Sequence, residues 1–229
     1  MAVSVLNAWQ GQTAGDPSGS LTISAGTNRM LFIQYFAEKG NPSPSFTSIT
    51  VGGQAPTGSS VLTEVHGGAN QISWAWYWDE AAIAAMSGTT AVLTQSNAAN
   101  TEDWDYVVLQ DVAGGASFDT YASDSSTDTA TVSLENTTDD WKIVTVNRTS
   151  PNRDVTSWDN VTQEWQFNTD YTVGIADALG DGTADTVVTG DGIGDDWIVQ
   201  CLVAVNVGAV TYVPRGLAQR NIRHTGRYH

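Results

Sequence analysis

The sequence predicts an all-β protein, an antiparallel β-sandwich of the jelly-roll-like kind with one short crossover helix. Apolar and polar residues alternate with a period of two in many short segments, as in strands that bury one face. Glycine, serine, threonine and asparagine separate these segments, and the 22 glycines suit a chain with many tight turns. Since no break in composition interrupts residues 1–213, we expect them to form one β-sandwich domain.

Two segments carry the clearest strand pattern. Residues 30–36 are almost continuously apolar, which is typical of a strand covered on both faces. In residues 71–78, Trp74, Trp76 and Trp78 share one face with Ile72. An exposed row of this kind would stack on sugar rings, but we expect the three rings to fill the core between two sheets. The further predicted strands are 48–51, 60–64, 91–95, 106–112, 129–134, 141–147, 161–167, 171–176, 186–189 and 196–206.

One segment has the pattern of a helix. Residues 79–86 begin with two acids, continue with alanines and are followed by Gly88. Carboxylates favour the positive end of a helix, and glycine favours its exit. We therefore predict a crossover helix of about two turns that joins two strands.

The charge of the chain limits its partners. Acids outnumber bases by 25 to 9, for a formal net charge of −16. Such a surface repels nucleic acid and anionic membranes, so we expect neither as a partner. No segment approaches the roughly 20 apolar residues that span a bilayer. The first residues lack an export signal, which predicts synthesis in a host cytoplasm without export.

The residues expected of an enzyme do not assemble in the sequence. The histidines are His66, His224 and His229, and no Gly-x-Ser-x-Gly motif accompanies them. A glycosidase needs two carboxylates in a cleft, and Glu64, Glu80 and Glu164 are the candidates beside aromatic strands. We interpret these three as solvated strand ends. The sequence therefore predicts a protein that is not an enzyme and needs no cofactor.

Two weaker features concern ligands. Asp177, Asp181 and Asp185 are spaced four apart in a glycine-rich stretch, which makes them a calcium candidate. The alternative is that these acids bond to their own backbone in turns, and we favour it over a metal site. Among the nine tryptophans, Trp104, Trp158 and Trp165 stand among polar residues and are candidates for exposed aromatic contacts, for example with a glycan on a host surface.

Four motifs in the first half of the chain resemble a known module. They are Asn-Arg-Met-Leu-Phe-Ile at 28–33, Ile-Thr-Val-Gly-Gly-Gln-Ala at 49–55, Trp-Tyr-Trp at 76–78 and Gly-Thr-Thr-Ala-Val-Leu at 88–93. In this order they resemble the β-sandwich modules of tailed-phage structural proteins and bacterial surface proteins. The resemblance covers roughly residues 25–115. It implies a sandwich fold in a structural or binding role, without a catalytic set of residues.

The last sixteen residues, 214–229, differ from the rest. They hold four of the nine bases and no acid, so we interpret them as a basic C-terminal arm. Arginine forks could bind carboxylates of a neighbouring subunit, and apolar residues of the arm, together with Tyr212 two positions before it, could be buried there. The residues expected to bind the partner are Arg215, Arg220, Arg223, Arg227, Tyr212, Leu217, Ile222 and Tyr228.

Together these features predict a virion structural protein of a tailed virus. We expect a capsid decoration or turret component, or a tail-associated one, located in the virion and anchored by its C-terminal arm. The expected partners are other virion proteins, and a homo-oligomer is expected. The alternative is a carbohydrate-binding or adhesin module that uses exposed tryptophans.

Overall fold

The structure is a computed structural model of the chain. It describes residues 2–13, 18–40, 45–66, 69–97, 101–123, 129–148, 154–168, 172–190 and 197–207. Sixteen strands and one short helix follow each other along these residues. The elements of the first half are β1 (Ser4–Thr13), β2 (Gly19–Ser20), β3 (Met30–Gly40), β4 (Ser45–Val51), β5 (Gly58–His66), β6 (Ala69–Trp78), α1 (Glu80–Ala84), β7 (Thr90–Asn97) and β8 (Thr101–Gln110). Those of the second half are β9 (Val112–Ser123), β10 (Thr129–Ser133), β11 (Trp141–Arg148), β12 (Val155–Trp158), β13 (Thr162–Asn168), β14 (Thr172–Leu179), β15 (Asp185–Gly190) and β16 (Trp197–Asn206).

The strands form two sandwiches, each with a five-stranded and a three-stranded sheet. The first sandwich has the sheets β1-β8-β3-β6-β5 and β2-β7-β4. The second has β13-β14-β11-β16-β9 and β10-β15-β12. All of the pairings between these strands are antiparallel. The predicted antiparallel all-β sandwich with one short helix is confirmed.

The two sandwiches share one connectivity. Each strand pair of the first sandwich, such as β1 with β8 or β3 with β6, reappears in the second when eight is added to both strand numbers. Within each set of eight, the first strand pairs with the last, the second with the seventh and the third with the sixth. This is the arrangement of a jelly roll, in which a long antiparallel hairpin is folded over on itself. The prediction treated residues 1–213 as one sandwich, whereas the described strands form two in tandem.

A single residue joins the two jelly rolls. Asp111 lies between β8 and β9 and has a φ of 64°, a left-handed conformation that aspartate tolerates better than most residues. Its backbone N–H donates to the carbonyl of Thr27 at 3.0 Å, and its own carbonyl accepts from the N–H of Val207 at 3.1 Å. The predicted strand over 106–112 therefore crosses the boundary between the sandwiches. Because the connection is so short, composition does not reveal it.

Three apolar clusters separate four layers of sheet. The first fills the first sandwich with aromatic side chains, among them Trp74, Trp76 and Trp78, which are at most 4% exposed. The second fills the second sandwich with smaller residues, mostly valine. The third lies between the two five-stranded sheets, which pack face to face. We call this third contact the central interface. The expected core role of the tryptophan row is confirmed.

Candidate functional site

The motif residues of the first half meet at one corner of the first sandwich. Arg29 donates to both carboxylate oxygens of Glu80, from Nη2 to Oε1 at 2.6 Å and from Nε to Oε2 at 2.9 Å. The indole Nε1 of Trp78 donates to the carbonyl of Gln54 at 2.9 Å. The side-chain amide of Gln54 donates to the carbonyl of Ala85 at the end of α1. These contacts tie the β4 turn, β6, α1 and the start of β3 together, which is a structural use of the motifs.

An open groove lies beside this corner, where the two sandwiches meet. Its volume is about 550 Å³, and it is lined by Asn28, Asp79, Glu80, Ala81, Ala84, Val112, Ala113 and Val207. Both of its carboxylates are engaged. Asp79 caps α1 by accepting from the N–H of Ala82 at 2.9 Å. Hydrogen bonds from Arg29 hold the pKa of Glu80 below its usual range. A general acid of a glycosidase needs the opposite shift.

The other two carboxylate candidates do not join Glu80. Glu164 is exposed on β13 in the second sandwich, and the side chain of Glu64 lies outside the described residues. Nothing in the described ranges thus brings the three candidate glutamates to one cleft.

The central interface contains a polar cluster that the sequence analysis did not identify. We use this name for Gln34, Ser73, Asp105, Thr145, Asn147 and Gln200, which are each at most 2% exposed. The side-chain amide nitrogen of Gln34 donates to Ser73 Oγ at 2.6 Å and to Gln200 Oε1 at 3.0 Å. Ser73 Oγ also donates to Gln200 Oε1 at 2.7 Å. These bonds connect β3 and β6 of the first sandwich to β16 of the second.

Two buried carboxylates at the central interface have altered acidity. Burial raises the pKa of Asp105 to about 8, and the neighbouring carboxylate of Asp103 adds to the rise. Burial also raises the pKa of Asp177 to about 6, although a hydrogen bond from Trp9 opposes the rise and Glu164 adds to it. That bond runs from the indole Nε1 of Trp9 to Asp177 Oδ2 at 2.6 Å and links β1 to β14. Strand alternation places both acids on faces that the opposite sheet covers. Alternation alone does not distinguish such a covered face from a face exposed to solvent.

The three aspartates predicted as a calcium candidate lie in different environments, one of them buried and two exposed. Asp177 points into the central interface, where it is 5% exposed. Asp181 is exposed, and its Oδ1 accepts from the backbone N–H of Thr183 at 2.7 Å, which is the turn contact given as the alternative. Asp185 is an exposed residue of β15 that pairs with Ser133. In the part of the chain that the structure describes, no three side chains among histidine, cysteine, aspartate and glutamate form a metal-binding group.

The three tryptophans expected at the surface have different positions. Trp104 is 4% exposed in the aromatic core of the first sandwich, stacked on Tyr106 with ring centroids 5.9 Å apart. The prediction that it is an exposed contact is wrong, because β8 alternates between the core and the central interface and has no solvent face here. Trp158 is half-buried and donates from Nε1 to Gln163. The side chain of Trp165 lies outside the described residues.

The C-terminal arm also lies outside the described residues. This applies to every residue expected to bind a partner: Tyr212, Arg215, Leu217, Arg220, Ile222, Arg223, Arg227 and Tyr228. The last described residue, Val207, lies in the groove beside α1. Within the described ranges, no helix has the length and apolar character needed to cross a bilayer.

Comparisons with known protein families, curated proteins and solved structures find no match to this chain.

Proposed function

We propose that the chain is a structural protein of the particle of a tailed virus. In this role it decorates the capsid, as a turret-like component for example, or belongs to the tail, and the arm 214–229 attaches it to the assembly. The observation that carries the proposal is the pair of jelly rolls joined through one residue and a buried interface. Two jelly rolls packed in this way keep their outer surfaces at a constant distance from each other, which suits a structural component.

The polar groups in the first sandwich bind to other parts of the fold, which supports a structural role. The acids of the groove cap a helix or bind an arginine, and the motif residues connect neighbouring turns. These groups therefore stabilise the fold instead of facing a substrate. A catalytic group needs access to a substrate and a pKa matched to its reaction.

The distribution of charge supports attachment through the arm. Residues 1–213 carry all 25 acids and only five of the nine bases, while the arm carries four arginines and no acid. Guanidinium groups bind carboxylates in forked pairs that are stronger than neutral hydrogen bonds. The acidic body of a second copy, or another acidic virion protein, is a surface that such an arm would recognise.

The test uses particles purified from cells that produce the virus. The full chain, a chain without residues 214–229 and a chain with Arg215, Arg220, Arg223 and Arg227 changed to glutamine are each supplied to assembling particles. We expect the full chain to sediment with the particles and both variants to remain free. The chain with glutamines keeps the full length of the arm. If this chain also remains free, attachment depends on the charge of the four arginines.

Two outcomes would contradict the proposal. If purified particles contain none of the full chain, the protein is not a virion component. If the truncated chain is incorporated as well as the full chain, the arm is not the anchor. Equal melting temperatures of the three chains would show that altered folding does not explain the result.

A further inference from the structure

The polar cluster lies between the facing sheets because of strand alternation. On β11, Val144 and Val146 belong to the core of the second sandwich, so Thr145 and Asn147 face the first sandwich. On β8, Trp104 and Tyr106 belong to the core of the first sandwich. Asp103 and Asp105 therefore face the second sandwich, as Val107 does at the central interface.

Strand order brings β8 and β11 opposite each other. At one side of the interface, β1 contacts β14 through the hydrogen bond from Trp9 to Asp177. At the other side, β6 contacts β16 through Ser73 and Gln200. Between these contacts lie β8 and β3 in one sheet and β11 in the other. The side chains of these three strands must therefore meet in the middle of the interface.

Register brings the polar groups to one height along the strands. Asp105 is the partner of Gln34 in the pairing of β8 with β3. Gln34 is bonded to Gln200 across the interface at 3.0 Å. Thr145 is in turn the partner of Gln200 in the pairing of β11 with β16. Asp105, Gln34, Gln200 and Thr145 thus form one continuous row that crosses from the first sandwich to the second.

Three oxygens of this row, and one of Asn147 two residues from Thr145 on β11, lack a hydrogen-bond partner. They are Gln34 Oε1, Asp105 Oδ1, Thr145 Oγ1 and Asn147 Oδ1, and each belongs to a side chain that is at most 1% exposed. A buried polar atom without a partner costs roughly 1–3 kcal/mol in proteins. Four such oxygens at neighbouring register positions of β3, β8 and β11, with the buried Asp103 two residues from Asp105, favour a bound species that satisfies them.

We propose that these oxygens form a calcium site between the two jelly rolls. Calcium prefers carboxylate, amide and hydroxyl oxygens, and it accepts six to eight of them in irregular geometry. Magnesium is a poorer fit, since it retains several water molecules that a buried site must then accommodate. Three of the four oxygens belong to an amide or a hydroxyl. This site therefore does not require a group of three acidic, histidine or cysteine ligands, and the described ranges contain no such group.

A cation at this place would connect the two sandwiches. Asp105 and Gln34 come from the first sandwich, and Thr145 and Asn147 come from the second. Binding would therefore stabilise the paired arrangement of the jelly rolls over separated ones. This inference does not depend on the role of the chain in a virion.

The experiment uses the full chain freed of metal with a chelator and then titrated with Ca²⁺. We expect one equivalent to bind in calorimetry. We also expect the melting temperature to rise by roughly 5–10 °C at about 100 times the dissociation constant. Asp105→Asn should abolish both effects, and it should fold because asparagine has the shape of a protonated aspartate. Thr145→Val should weaken binding while leaving the metal-free protein at least as stable, since it removes a buried unpaired hydroxyl.

Asp181→Asn is the matched control. It removes one acid from an exposed turn and should retain the full response to Ca²⁺. If Ca²⁺ raises the melting temperature of all the variants equally, the ion binds the acidic surface in general and the proposal is wrong. If Ca²⁺ neither binds nor stabilises the unsubstituted chain, the proposal is likewise wrong.

Discussion

Gly52 occupies a turn between β4 and β5 that lies directly against the turn preceding β7. Its φ is 54°, a left-handed conformation, and a Cβ atom at this position would collide with the backbone carbonyl oxygen of Gly88. The next residue, Gly53, has a similar φ of 81°, but the nearest atom to its Cβ would be Ser87 Oγ at 3.9 Å. A comparison of the two positions therefore distinguishes the free-energy cost of a left-handed backbone conformation from that of a steric clash.

We predict that Gly52→Ala destabilises the protein by about 3 kcal/mol and Gly53→Ala by about 1 kcal/mol. Both alanines must adopt a left-handed conformation, but only the one at 52 displaces a backbone atom. Urea unfolding followed by circular dichroism measures both values. Equal destabilisation by the two substitutions would show that the turns do not approach as closely as described.

Asp105 makes the stability of the protein depend on pH. Its pKa is about 8 in the folded protein and about 3.9 in an unfolded chain. The folded state therefore retains a proton that the unfolded state has lost, and the stabilising effect of this proton decreases as the pH rises from about 4 to about 8. Asp177, with a pKa of about 6, acts in the same direction up to that pH.

We predict that the free energy of unfolding, measured with a chelator present, falls by up to about 1.4 kcal/mol per pH unit between pH 7 and pH 8, where Asp177 has already lost its proton. In this range Asp105 is the group that supplies the slope. Asp105→Asn should flatten it and should make the protein more stable than the unsubstituted chain above pH 8. An unchanged slope in the variant would mean that this carboxyl is not buried as described.

At the scale of elements, β16 takes part in two interior contacts at once. Gln200 faces the central interface and Cys201 faces the core of the second sandwich, where it is 1% exposed. Burial raises the pKa of the Cys201 thiol to about 12. Reaction with a thiol reagent requires the thiolate, so Cys201 reports on opening of the second sandwich. Cys201 is the only cysteine of the sequence, and it is packed in this core as a small apolar side chain.

At the scale of the whole molecule, the two sandwiches are expected to unfold together. One residue connects them, and each presents apolar surface to the other through Phe32, Val107, Leu202 and neighbouring side chains. Separation would expose this surface along with the buried amides that now bond across the interface. The interface therefore couples two units that have separate cores.

We predict coincident unfolding of the two halves in a denaturant titration. Tryptophan fluorescence reports on both sandwiches, and the buried rings of Trp74, Trp76, Trp78 and Trp104 report on the core of the first. Labelling of Cys201 reports on the second. The midpoints should agree within error, as in a two-state transition. Labelling at a clearly lower denaturant concentration than the fluorescence change would show that the second sandwich opens independently.

Local elements with a clear apolar period could be predicted from the sequence alone. Most predicted strands and the short helix are present, because alternation with a period of two and an alanine-rich turn are local properties. The missed strands are β1, β2, β12 and most of β9. Their patterns are weak: β1 has bulges in its pairing with β8, and glycines occupy the start of β9.

The division into two jelly rolls, and the identity of the residues between them, depend on contacts between strands that are distant in the sequence. A strand pattern shows that a face is covered but not what covers it, so Asp105, Thr145 and Asn147 looked like ordinary polar positions. The same limit explains why Trp104 was assigned to the surface. Both faces of β8 are covered, one by its own sandwich and one by the other, and that second cover comes from β11 and its neighbours in the second sandwich, which lie about 40 or more positions further along the chain.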